Sequence, residues 1–112
     1  MGILPENALK LMRSRYSAYA LQLPSYIMET THPLNAHYQR DQKKWALEIL
    51  SFSQNTFFEK LEILEFIDGK GVAFVTFIAH LRQNGKKVLL KERSRFEKVG
   101  ERWLYRDADF LR

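Results

Sequence analysis

The sequence predicts an α+β fold: three N-terminal helices packed in a curved four-stranded antiparallel sheet. Three observations predict it. Apolar residues recur at helical spacing up to residue 54, then at every second position from residue 57. Asp68-Gly69 and Asn84-Gly85 punctuate the second half, and both dipeptides favour the tight turns of antiparallel hairpins. Three of the four strand segments run to about ten residues or more, and strands of that length twist and curl. A sheet curled around helices makes a cone, and a cone leaves a pocket.

Each element follows from its own residues. Over 8–23, Leu9, Met12, Tyr16, Tyr19, Ala20 and Leu23 make one apolar stripe at helical spacing. Pro24 opens a second, short helix over 24–32, because a proline in the first turn loses no intrahelical bond. That helix closes at His32, since the residue before Pro33 is pushed out of the helical region. Over 40–54, Trp45, Ile49 and Phe52 share a face, with Ala46 and Leu50 beside them. The strands follow at 57–67, 72–83, 87–98 and 102–107, joined by turns at 68–71, at 84–86 and around Gly100. Leu9, Met12, Trp45 and Ile49 are expected to pack on the second strand, through Ala73, Val75 and Phe77 or through their opposite-face neighbours. Both faces of that strand are apolar, so the pattern does not choose between them. A strand apolar on both sides suggests that the outer side is covered too, by a second copy.

Length and composition bound the rest. At 112 residues the chain is expected to be a single domain over 1–112. An apolar share of 46%, with 13% aromatic residues, supplies a core and argues against disorder. Lys and Arg number 18 against 13 Asp and Glu, and the resulting +5 is too dispersed to imply nucleic acid by itself. With no cysteine, the chain has no disulfide, no thiolate zinc site and no Cys nucleophile. The first residues lack the apolar core of a signal peptide, and the longest apolar stretch is too short to span a bilayer as a helix. A cytoplasmic location is the expectation, with no membrane partner.

One tetrapeptide is written almost twice, RSRY at 13–16 and RSRF at 93–96. The first falls in a helix and the second in a strand, so they are not a repeat. On the helix, Arg13 and Arg15 stand about 200° apart and flank the apolar stripe. On the strand, Arg93 and Arg95 share a solvated face with Lys91 and Glu97. The opposite face carries Val88, Leu90, Glu92, Ser94 and Phe96, an apolar series interrupted by two polar residues. A carboxylate facing a core is costly unless it is paired or hydrogen-bonded. Glu92 is therefore expected to meet Arg13 or Arg15 from the first helix, Arg being suited to a bidentate grip on a carboxylate. Alternatively, Glu92 is the acid of a ligand pocket.

The segments LMRSRYSAY at 11–19, Thr31-His32-Pro33, LEIL at 61–64, KERSRF at 91–96 and RWLYRD at 102–107 resemble the YchJ-type, SEC-C-associated family of bacterial proteins. They cover almost the whole chain in that family's order. Lys91 stands where the family usually has His, and Thr31 where it often has Trp. The resemblance implies the cone of nuclear transport factor two and of ketosteroid isomerase-like enzymes, and dimerisation through the sheet. It implies no particular activity. The zinc-binding SEC-C motif of such proteins is Cys-rich, and this chain has no cysteine with which to make one.

The candidate pocket therefore comprises Tyr16, Tyr19, His32, Glu92, Ser94, Trp103 and Tyr105, with Arg13, Arg15 and Glu92 as the candidate charge pairing. Trp103 and Tyr105 are expected on one face with Asp107. His32, Tyr16 and Tyr19 each have a plainer reading, as a helix-end hydrogen-bonding group and two core aromatics. His32, His37 and His80 match no zinc spacing, Ser94 has no identifiable base, and GKG at 69–71 is a turn rather than a phosphate loop. No metal or cofactor is predicted. The leading reading is a module that binds a small molecule or a protein, with a homodimer through the sheet. The alternative is an acid/base enzyme of the dehydratase or isomerase type, using Glu92 and His32. RNA binding is a weaker third reading, resting on the charge and on Lys86, Lys87, Lys91, Arg93 and Arg95.

Overall fold

The computed structural model describes residues 4–111. Helices α1 (Ala8–Ala20), α2 (Pro24–Glu29) and α3 (Gln42–Gln54) precede strands β1 (Phe57–Ile67), β2 (Val72–Gln83), β3 (Lys86–Val99) and β4 (Arg102–Phe110). The strands form one antiparallel sheet in chain order, β1-β2-β3-β4. No helix among the described residues is long and apolar enough to cross a membrane.

Local chemistry sets the boundaries. The side chains of Asn7 and Asp41 cap α1 and α3 by accepting from the backbone N–H of Lys10 and Lys44. The first helix is three residues shorter than the apolar stripe suggests. Its chain turns at Gln22, whose φ is 59°, and Leu23 N–H reaches back to the Ala18 carbonyl. Pro24 then opens α2 as expected. The hairpin between β2 and β3 turns on Asn84 and Gly85, at φ 52° and 75°, the paired positive values a two-residue turn needs. At the far end β4 runs to Phe110, three residues beyond the segment legible as a strand.

The question of which face of β2 is inside resolves cleanly. Ala73, Val75, Phe77, Ala79 and Leu81 are all buried on the concave side, clustered with Phe96, Trp103 and the Ala8, Leu11 and Met12 side chains of α1. Trp45 and Ile49 do not join them. They form a second cluster with Ala18 and Ile27, because α3 packs on the other two helices. In α1 the buried residues are Ala8, Leu11, Met12, Arg15 and Ala18, while Ala20 and Leu23 are exposed. The helix lies between sheet and helices, so small residues and one arginine take places that a stripe of large apolar residues would claim.

The convex face is screened by long charged side chains. The Arg93 guanidinium carbon lies 4.4 Å from the centre of the Phe74 ring. Arg95 holds Asp107 through two hydrogen bonds of 2.9 and 2.6 Å. One β-bulge matters for the site. Phe96 pairs with Tyr105 and Arg95 with Asp107, which leaves Arg106 as the extra residue of β4. Asp107 therefore joins Arg95 outside, instead of sharing a face with Trp103 and Tyr105.

The segment between α2 and α3 is tied to β4. Thr31 makes a parallel bridge to Tyr105, Tyr105 N–H donates to the Thr30 carbonyl at 2.8 Å, and His32 N–H donates to the Tyr105 carbonyl at 2.9 Å. Buried Asn35 donates its amide to the Arg106 carbonyl at 3.0 Å. This anchoring makes the segment a wall of the cone.

Candidate functional site

Helix α1, helix α3, the α2–α3 segment and the concave face of the sheet enclose a cavity of about 730 Å³. Aromatic side chains make much of its wall, among them Tyr16 and Tyr19 from α1, Trp45 and Phe52 from α3, and Phe58 and Phe77 from the sheet. Tyr16 and Phe58 meet edge-on at 5.6 Å and 89°, as do Tyr19 and Phe52 at 5.6 Å and 79°, while Tyr19 and Phe58 are stacked at 6.5 Å.

Polar groups are concentrated on the most buried part of the lining, at Arg15, Glu92, Ser94 and Tyr105. Ser94 is 1% exposed, Glu92 7% and Arg15 8%. The β3 alternation that carries Val88, Leu90 and Phe96 inward carries Glu92 and Ser94 with them. Both hydroxyls serve one carboxylate oxygen: Ser94 donates to Glu92 Oε2, and Tyr105 donates to the same atom at 3.3 Å. Glu92 Oε1 makes no hydrogen bond among the described residues. Burial pushes the Glu92 carboxyl above its ordinary value, while the two donors and the charge of Arg15 act against the rise. Burial and the Glu92 charge push the Tyr105 phenol far up, so it stays a donor.

Arg15 is committed elsewhere. Its Nη1 donates to the Ile27 carbonyl at 3.1 Å, to Thr30 Oγ1 at 2.7 Å and to Thr31 Oγ1 at 3.1 Å. Its guanidinium carbon stands 4.7 Å from the centre of the Tyr105 ring. The expected ion pair is corrected here: among the described residues Glu92 pairs directly with neither arginine, because the oxygens closing α2 take up Arg15. The two charges influence one another through space, and Tyr105 touches both. Arg13 is exposed and takes no part.

Two further members of the expected pocket lie outside it. Trp103 is buried in the core beneath α1 and does not line the cavity. His32 is on the outside of the cone, where Nδ1 accepts from Leu34 N–H at 3.0 Å and Nε2 stands 3.3 Å from Glu97. The bridge at Thr31 turns the histidine toward the solvated face of β3. Tyr16, Tyr19, Glu92, Ser94 and Tyr105 do line the cavity. Sequence reasoning missed His37, Gln39 and Glu48, which sit in its lining together with Phe110. Gln39 donates to Glu48 at 2.6 Å, joining the segment to α3. Residues 36–39 belong to no periodic element, so spacing could not nominate them. Phe110 escaped too, because it is the register partner of Glu92 only through the bulge in β4, and the strand segment legible in the sequence ends at 107.

Comparison with known proteins agrees with this cone. The profile of the family described as "YchJ, middle NTF2-like domain" matches residues 7–108. A UPF0225 protein of Vibrio parahaemolyticus is 38% identical over 104 residues, which are 90% of this chain and 58% of that protein. The chain thus spans somewhat under three-fifths of that relative's length. The solution structure of a SEC-C motif containing protein from Rhodopseudomonas palustris superposes with a TM-score of 0.83 at 28% identity, covering 98% of this chain and 83% of that one. The crystal structure of a SEC-C motif containing protein from Psychrobacter arcticus gives a TM-score of 0.77 at 26% identity, covering 100% of this chain and 65% of that one.

Proposed function

The chain belongs to the YchJ middle NTF2-like domain family, and from that premise we propose that it is a binding module which takes a small molecule into its cone. One observation carries the reading: a buried carboxylate, already given two donors on Oε2, has Oε1 left over at the end of an aromatic-walled cavity. Apolar walls with a few convergent polar groups are the usual composition of a ligand site. Glu92 Oε1 is not among the fully buried atoms without a partner, so it opens on the cavity and is free to accept from a ligand.

N-phenyl-1-naphthylamine, a neutral dye that brightens in apolar surroundings, tests the reading. Its fluorescence should rise with the wild-type protein and stay low with Leu90→Trp, which fills the cavity beside Glu92. The melting temperature of the variant must be retained. Equal signals from both proteins, or none from the wild type, would remove the proposal.

The raised Glu92 carboxyl favours a second reading, an acid/base enzyme of the isomerase or dehydratase type. In that case His37 rather than His32 is the histidine within the cavity lining. Turnover would then be lost in Glu92→Gln while dye binding persisted.

A further inference from the structure

The cavity's inventory of charges and spare hydrogen-bonding atoms narrows what it would hold. This step rests on the reading of the cone as a small-molecule site. The charged side chains of the lining are Arg15, Glu48 and Glu92. The Nη1 of Arg15 is taken up by three oxygens, and the Ser94 and Tyr105 hydroxyls already donate to Glu92 Oε2. The lining leaves unengaged, among the described residues, Glu92 Oε1, an acceptor at the buried end, and the Tyr16 hydroxyl, which can give or accept.

Charge then selects among ligands. An anion would meet two carboxylates, Glu48 and Glu92, against the single charge of Arg15, whose Nη1 is already taken up. A cation would be buried near Arg15, which is itself 8% exposed, and would lose its own hydration. A neutral molecule with a donor avoids both costs. The wall is rich in aromatic side chains, and such surface suits a planar ring by stacked or edge-on contact. A cavity of about 730 Å³ has room for one or two fused rings.

We propose that the cone binds a neutral, planar, ring-containing molecule which presents an N–H or O–H donor to Glu92 Oε1.

Four probes of one shape class separate the alternatives: indole, benzofuran, indole-2-carboxylate and tryptamine. Each is titrated against the N-phenyl-1-naphthylamine complex of the full chain at pH 8, well above the ordinary carboxylate range. Indole should displace the dye about ten times more strongly than benzofuran, which has nearly the same shape and no donor. The carboxylate and the ammonium should both be weaker than indole. In Glu92→Gln the advantage of indole over benzofuran should shrink, because a neutral amide is a poorer acceptor than a carboxylate. If that variant fails to fold, the wild-type ranking alone decides. Equal displacement by indole and benzofuran, preference for either charged probe, or no displacement by any of the four overturns the inference while dye binding keeps the cavity reading intact. A dye that never binds removes both.

Discussion

Arg15 offers one nitrogen to three oxygens at the end of α2 and lays its plane near the ring of Tyr105. It joins α1, α2 and β4 at a single point. Arg15→Ala should therefore cost about 3 kcal/mol, the sum of lost charge-assisted bonds and lost packing, read as a fall in unfolding free energy in urea. Arg15→Lys should recover only a small part, since an ammonium cannot reproduce the planar contact. Glu92 makes the opposite case. Its carboxyl is raised in the folded protein, so the folded state holds the proton to higher pH than the unfolded chain does. The Glu92 contribution to stability should be fully present below the unfolded value of about 4.5 and be lost as pH rises through the folded value. Glu92→Gln should flatten that decline, as melting temperatures measured across pH would show. Tyr105→Phe removes a donor to the ionised form, so the Glu92 carboxyl should rise further, which carbon-detected NMR titration can follow.

Turns and bulges decide which side chains reach the site. The turn between β1 and β2 contains two glycines with different duties. A Cβ on Gly69 would run into the backbone carbonyl of Val72, whereas one on Gly71 meets nothing. Gly69→Ala should therefore destabilise by about 2 kcal/mol and Gly71→Ala by less than about 0.5 kcal/mol, compared by thermal denaturation. The strand half of the molecule was legible because a period of two is short and Asn84-Gly85 marks its turn. Glu92 and Ser94 stood out as polar residues in an inward apolar series, and they do line the cavity. The helical half was harder. Helical spacing nominated Tyr19, Ala20 and Leu23 for burial along with Met12, while packing on two sides of α1 selected Ala8, Leu11, Met12, Arg15 and Ala18. Nothing in the alternation of β4 announces the bulge at Arg106 that turns Asp107 outward. Nor does spacing reveal that Thr31 would bridge to Tyr105 and carry His32 out of the cone.

For the molecule as a whole, the net charge is a modest +5, and three arginines of the sheet are tied to carboxylates. Arg82 faces Glu59 at 3.2 Å, Arg95 faces Asp107 at 2.6 Å and Arg106 faces Glu97 at 3.6 Å. Mixed RNA should accordingly show no binding by fluorescence anisotropy even at low salt, where phosphate contacts are strongest. Phe74 and Ile78 remain only half-buried on the convex face, and that is where a second copy is expected to sit. Sedimentation velocity at micromolar concentration checks this, and a monomer would remove it.

The tie between the α2–α3 segment and β4 has a consequence beyond shaping the cavity. In the order β1-β2-β3-β4, the outer flank of β4 would otherwise display a row of free amides and carbonyls, a template for recruiting strands from neighbouring molecules. Thr30, His32 and Asn35 occupy that row at Tyr105 and Arg106. At the opposite margin, β1 is protected differently, by two register shifts and by the charges of Glu59, Lys60, Glu62 and Glu65. Both margins of the sheet are thus blunted against edge-to-edge aggregation, and on the β4 side the guard at Thr30, His32 and Asn35 runs straight on into the cavity wall at Ala36, His37 and Gln39. Loosening that segment to open the cone would also unmask a sticky margin.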